Sequence, residues 1–168
     1  YSRYGYHYYG ALDARGTADA PIRFTSNAAS PQPGDWTGIY FRNETNDDLT
    51  LLEHCVVEYG GLTHAANLYI DRAKPTIRLS SIGKSSRHGI SLNKASPLLE
   101  ENQIFQNQLD GIYSNDSSRA VISGNTIEDN GTEAIDIHPN SVFKVGDNSG
   151  NGNATDAIWI RGGSLTVN

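Results

Sequence analysis

Methionine is absent from this 168-residue chain, and cysteine occurs once, at Cys55. A single thiol excludes an internal disulfide framework. Basic residues number 13 against 19 acidic ones, and the net charge of −6 speaks against nucleic acid and strongly anionic polymers as obligatory partners. No apolar run reaches helix-spanning length, so no membrane span is expected. Only 37% of the residues are apolar, which requires a narrow core. Helical amphipathicity is missing too. Apolar positions alternate over short stretches, as in Ile90-Ser91-Leu92, Ile135-Asp136-Ile137 and Ile158-Trp159-Ile160, and never sustain a 3.6-residue period.

The chain does have a repeat. Gly89-Ile90, Gly111-Ile112 and Ala134-Ile135 follow one another at 22 and 23 residues, and Ile82, Ile104 and Ile127 keep the same intervals. A fixed period of this size means stacked coils. Leu52, Ile77, Leu99 and Ile122 form one column, and Val57, Ile82, Ile104 and Ile127 a second. Ile39, Leu68, Ile90, Ile112 and Ile135 form a third, shadowed two residues later by Phe41, Ile70, Leu92, Ser114 and Ile137. A spacing of two places each such pair on one face of a strand. Between the first two columns run Cys55, Ser80, Asn102 and Asn125, where stacked amides can hydrogen-bond along the column. Cys55 therefore reads as a buried, inert thiol. Ile39 and Leu68 are 29 residues apart, and the excess is expected as a loop at Gly60-Gly61-Leu62-Thr63-His64. The expectation is an all-β solenoid of parallel strands with about five to six coils.

Gly16-Thr17, Pro21-Ile22-Arg23-Phe24-Thr25-Ser26 and Gly34-Asp35-Trp36-Thr37-Gly38-Ile39 resemble the opening segment of bacterial secreted right-handed parallel β-helix repeat proteins, the pectate-lyase-like superfold. Asn102-Gln103-Ile104 leading to Gly111-Ile112 is similar to the later repeats of that group. The resemblance covers about residues 10–140 and implies a right-handed parallel β-helix on the outside of the cell or in its surroundings. It leaves chemistry open, because the superfold hosts lyases, hydrolases, adhesins and non-catalytic domains. Residues 1–168 are expected to form one β-helix domain: an incomplete coil or edge strand over 1–15, regular coils over 16–140, then a loop and the start of a further coil over 141–168. Tyr4, Tyr6 and Tyr8 suit the terminal strand. Such a chain resembles a segment of a longer helix whose ends a flanking domain or partner chain covers.

For chemistry, His88, Asp110 and Glu133 fall in one column two residues ahead of the isoleucines, the only acid/base constellation in the chain. Trp159, placed outward between two inward isoleucines, together with Arg87, Asp136 and His138, are candidate ligand contacts. Arg72, Lys74, Arg78, Lys84, Arg87 and Lys94 concentrate positive charge over two coils. No resident metal or cofactor is expected. Gly146 to Asn153 offers oxygen ligands to calcium but only one acidic residue, Asp147. The paired-Asp and Gly-His-Gly signatures that the resemblance associates with polygalacturonases are absent. The combined reading is a non-catalytic, carbohydrate-contacting module of the cell surface or exterior, with polysaccharide as its partner. A polysaccharide hydrolase or lyase is the alternative, and a self-assembling or partner-capped fragment the third.

Overall fold

The computed structural model describes residues 9–115, 117–141 and 144–162. The strand expected at Tyr4, Tyr6 and Tyr8 lies outside the described residues, as does everything after Gly162. Eighteen short strands succeed one another three to a coil. They are β1 (Asp13–Arg15), β2 (Ile22–Phe24) and β3 (Ile39–Phe41); β4 (Leu51–Glu53), β5 (Cys55–Glu58) and β6 (Ala66–Asp71); β7 (Thr76–Arg78), β8 (Ser81–Gly83) and β9 (His88–Asn93); β10 (Leu98–Glu100), β11 (Gln103–Phe105) and β12 (Ile112–Ser114); β13 (Val121–Ser123), β14 (Thr126–Glu128) and β15 (Glu133–Ile137); and β16 (Lys144–Gly146), β17 (Ser149–Asn151) and β18 (Thr155–Ile160). Every third strand pairs in parallel, giving three six-stranded sheets in the orders β1-β4-β7-β10-β13-β16, β17-β14-β11-β8-β5-β2 and β18-β15-β12-β9-β6-β3.

The register turns the sequence columns into a continuous core. Leu52, Ile77, Leu99 and Ile122 align across the first sheet, Val57, Ile82, Ile104 and Ile127 across the second, and Leu68, Ile90, Ile112 and Ile135 across the third. All of these side chains are buried. Ser114 is buried in line with Ile137 and Leu92, as its column requires.

Sharp corners join the strands, and two sets of them share one device. His54, Leu79, Glu101, Gly124 and Asp147 take positive φ ahead of Cys55, Ser80, Asn102, Asn125 and Asn148. Tyr59, Lys84, Gln106, Asp129 and Gly152 do the same ahead of Gly60, Ser85, Asn107, Asn130 and Asn153. Each such turn leaves the next amide facing along the stack, and from Cys55 to Asn125 and from Ser85 to Asn130 a side chain of the following coil meets it, whereas Gly60 and Asn153 donate to Asn67 and Asp156 of their own coil. The Asn102 N–H donates to Asn125 Oδ1 at 3.0 Å, and the Asn125 N–H to Asn148 Oδ1 at 2.9 Å. A second ladder, not foreseen from the columns, links Ser85, Asn107, Asn130 and Asn153 at 3.0 to 3.1 Å. A third uses hydroxyls from Ala95 through Ser118 to Ser141.

Two expectations differ from what is found. The 29-residue interval is divided between two places. Nine residues, including a 3₁₀ turn at Asp47–Leu49, separate β3 from β4 where four separate β6 from β7, and the remainder lies at the expected Gly60 loop. The 141–168 stretch also carries a full set of strands, β16 to β18, because Asn148 and Asn153 extend both amide ladders one coil further.

Removing a rung should therefore expose the dependence on amides. Asn125→Ala strands the buried Asn102 N–H and the Leu99 carbonyl, which receives Asn125 Nδ2 at 3.0 Å. At about 1–3 kcal/mol for each buried polar group left unmet, a loss of roughly 2–4 kcal/mol is expected in urea unfolding. The exposed Asn151→Ala should change stability by less than about 0.5 kcal/mol.

Candidate functional site

Strand alternation that sends Ile112 and Ser114 inward sends Tyr113 outward. Parallel register then aligns Tyr113 with Ser91 and Asp136, with Trp159 next beyond Asp136 and Tyr69 and Tyr40 beyond Ser91. One outward row thus reads Tyr40, Tyr69, Ser91, Tyr113, Asp136, Trp159 along the axis of the solenoid, with a repeat of about 4.8 Å.

Beside this row the structure brings His88, Asp110 and Glu133 together. Glycine makes the close approach possible: a Cβ on Gly89 would come within 2.7 Å of the Gly111 carbonyl oxygen, and one on Gly111 within 2.7 Å of the Ala134 carbonyl oxygen. His88 Nδ1 lies 3.0 Å from Asp110 Oδ2. Asp110 Oδ1 accepts the Glu133 N–H at 3.1 Å and the Thr132 hydroxyl. The His88 ring stacks on Tyr113 with centroids 4.6 Å apart. Arg161 closes the arrangement from two coils away. Its guanidinium sits 4.3 Å from the Tyr113 ring centroid, donates to Tyr113 Oη at 2.5 Å and to the Ser114 carbonyl at 2.6 Å, and pairs with Asp136 at 2.7 Å.

Carboxylate oxygens of Asp110, Glu133 and Asp136 lie within 4.8 Å of one another, the one such group among the described residues with spacing suited to a cation. Burial works against ionisation of Asp110, but the hydrogen bonds from His88, Thr132 and Glu133 outweigh it and hold its pKa at about 2. The neighbouring Asp110 raises the pKa of Glu133, and partial burial adds to the rise. Burial likewise raises Asp136, with the Arg161 guanidinium opposing it. The three carboxyls thus divide the work: Asp110 keeps its charge, and Glu133 takes up protons more readily. Asp110 has little capacity left to attack a substrate, since Oδ1 accepts two donors and Oδ2 faces His88.

The other expected contacts are dispersed. Arg87 lines an open corner hollow of about 480 Å³ with Gly34, Gly61, Leu62 and Gln108. His138 Nδ1 accepts the Asn140 N–H at 3.3 Å in the turn after β15. Trp159 lies in the row and is 53% exposed, but Ile158 and Ile160 are equally open at 49% and 57% because β18 is the last rung described. Half of the six cations of the basic stretch are paired, Arg72 with Asp71, Arg78 with Glu53 and Lys84 with Glu58, at 2.7 to 2.9 Å. Cys55 is buried, and burial raises its thiol pKa.

Two groups were missed from sequence. Tyr40, Tyr69 and His64 form an aromatic cluster with centroids 4.6 to 5.7 Å apart, next to Asp71, which accepts from Asn93 at 2.9 Å. The equal phase of Tyr40, Tyr69 and Tyr113 was the available signal. Arg161 carried none, since it acts on residues 47 and 48 positions away.

Three six-stranded parallel sheets wound as successive coils define a parallel β-helix. The chain matches the family described as "Right handed beta helix region" over residues 22–168, and it belongs to that family. Neither the curated proteins nor the solved structures gave a match.

The acid limb of stability should report on Asp110. A carboxyl whose folded pKa is depressed to about 2 from the model-peptide value near 3.8 stabilises the fold above pH 4, and that contribution fades as pH falls from about 4 through 2. It amounts to about 2 kcal/mol. Asp110→Asn should lower the melting temperature at pH 6 and flatten its decline between pH 4 and 2. An unchanged acid limb would dissociate Asp110 from this linkage.

Proposed function

We propose that the protein is a non-catalytic, carbohydrate-contacting β-helix module acting outside the cell, and that the outer face of the third sheet is its contact surface. The supporting observation is the single row of Tyr40, Tyr69, Ser91, Tyr113, Asp136 and Trp159 in register along the axis. Aromatic faces offer the apolar side of a sugar ring a flat platform, and Trp159 is the open one of the row, since Tyr113 already stacks with His88 and Arg161. Flanking Asp71, Asn93 and Arg161 offer hydrogen-bonding groups to hydroxyls. An extended polymer lying along the coils would meet this pattern repeatedly, which suits a chain of sugars better than a small ligand. The carboxyl group of Asp110, Glu133 and Asp136 disfavours a polyanion, so neutral polysaccharide is the partner of choice.

The alternative, a polysaccharide hydrolase, draws support from the closeness of Asp110 and Glu133, whose pKa Asp110 raises. It is the weaker reading because Asp110 is committed to Thr132, Glu133 and His88, and the third carboxyl, Asp136, is paired with Arg161.

Glycan-array binding run beside a reducing-sugar assay separates the two. Binding to neutral plant or microbial polysaccharide without release of reducing ends is expected. Trp159→Ala should weaken binding by about tenfold, corresponding to about 1.4 kcal/mol for one lost stacking contact. Cleavage abolished by Glu133→Gln would instead establish the hydrolase.

A further inference from the structure

The corner between the second and third sheets carries a hollow of about 480 Å³ that the outward row of the third sheet does not use. Successive coils build it, and backbone bonds set their order. The Ser86 N–H donates to the Gly60 carbonyl at 3.1 Å, and the Leu109 N–H to the Arg87 carbonyl at 3.1 Å. The concavity comes from glycine. Gly34 and Gly61 turn with φ of 92° and 95°, and a Cβ on either would come within 3.1 and 2.8 Å of Ser86 Oγ. Side chains are thus missing where those two coils cross the corner, and Leu62, Arg87, Gln108 and Leu109 line the space that remains.

Apolar walls with a few polar groups are the composition of a small-molecule site. Among the described residues lining the hollow, Arg87 alone is charged. Arg72, Arg78 and Lys84 each pair with a carboxylate, but no described residue pairs with Arg87. Asp110, one coil on, faces His88 and Thr132 instead. The corner amides are already engaged: the Arg87 N–H donates to Ser85 Oγ at 3.1 Å, and the Leu62 N–H to the Trp36 carbonyl at 3.1 Å. A ligand is therefore held by side chains and not by a nest of backbone N–H groups, the usual cradle for phosphate. One guanidinium offers a two-pronged fit to one carboxylate. A dianion would leave a charge unmatched in a chain of net charge −6. Leu62, 58% exposed, and Leu109 bring aliphatic surface to the same hollow.

We propose that this corner binds a monocarboxylate carried on a compact aliphatic body. Arg87 grips the carboxylate through two hydrogen bonds, Leu62 and Leu109 take the aliphatic part, and the exposed Gln108 reaches a polar group beside the acid. A free branched-chain acid and a peptide ending in an apolar residue share that chemistry. The site has no residue in common with the proposed glycan surface and stands or falls apart from it.

Titration of the isotope-labelled 168-residue chain with N-acetyl-leucine, followed by backbone and side-chain NMR shifts, tests it. Saturable shifts confined to Gly61, Leu62, Arg87, Gln108 and Leu109 are expected, with a dissociation constant in the millimolar range. Isocaproate keeps the acid and the aliphatic body but lacks the amide, and so separates the sources. Equal affinity assigns a free acid and several-fold weaker binding a peptide terminus; either upholds the site. N-acetyl-leucinamide, without the carboxylate, should bind at least about tenfold more weakly. Arg87→Gln should give the same loss and Arg87→Lys an intermediate one, because an ammonium keeps the charge without the fork. Leu62→Ser should weaken binding several-fold. Arg87 and Leu62 are exposed, so the melting curves of these variants should match that of the parent. The proposal is overturned if no saturable shift appears, if N-acetyl-leucinamide binds as tightly as the acid, or if Arg87→Gln leaves the affinity unchanged. Shifts spread over Lys74, Lys94 and Arg119 would overturn it too, since diffuse attraction of anions gives that pattern.

Discussion

The structure depends on one constraint: an amide buried at a corner must find its acceptor in the next coil. At each sharp turn a residue adopts positive φ, at a cost of about 1–2 kcal/mol where it is not glycine, and the following N–H then points along the stack. His54, Leu79, Glu101, Tyr59, Lys84, Gln106 and Asp129 all accept that conformation with bulky side chains. It persists because an asparagine or serine accepts the following N–H, from the neighbouring coil in every case but Tyr59, where Asn67 of the same coil accepts from Gly60. An asparagine also donates from Nδ2, as Asn102 does to the Ile77 carbonyl and Asn125 to the Leu99 carbonyl, so one side chain serves several backbone groups.

That constraint also builds the outer face. Because the ladders permit only whole-coil steps, side chains at equal phase sit above one another with no freedom to splay apart. For tyrosines the result is an aromatic row. For Asp110 and Glu133 it is forced proximity of like charges, relieved by His88 and Thr132 on Asp110 and by the raised pKa of Glu133. Stacked carboxyls here follow from the whole-coil step of the architecture.

Most of the fold was legible because a solenoid is periodic in sequence as well as in space. Leu99, Ile104 and Ile112 declare their columns through spacing alone, and the column at Cys55 gave away the first amide ladder. The second ladder carries the same serine-to-asparagine pattern five residues later, at Ser85, Asn107 and Asn130, so its signal was equally present in the spacing. The long first interval was assigned to one loop because glycines mark a bend openly, whereas the 3₁₀ turn at Asp47–Leu49 has no comparable signature. Of the site, the His88, Asp110 and Glu133 column was visible in phase, but not the occupancy of each oxygen. Arg161, which reaches across two coils, obeys no single-coil period.

Sequence by itself determined the parallel coils, the inward columns and the residues that share an outward phase, since each follows from a repeat of 22 to 23 and a strand alternation of two. Tertiary structure alone decided which carboxyl keeps its charge, how Arg161 joins Tyr113 to Asp136, and which anions pair with Arg72, Arg78 and Lys84. Those outcomes rest on side-chain reach and burial in three dimensions, to which a one-dimensional period is blind.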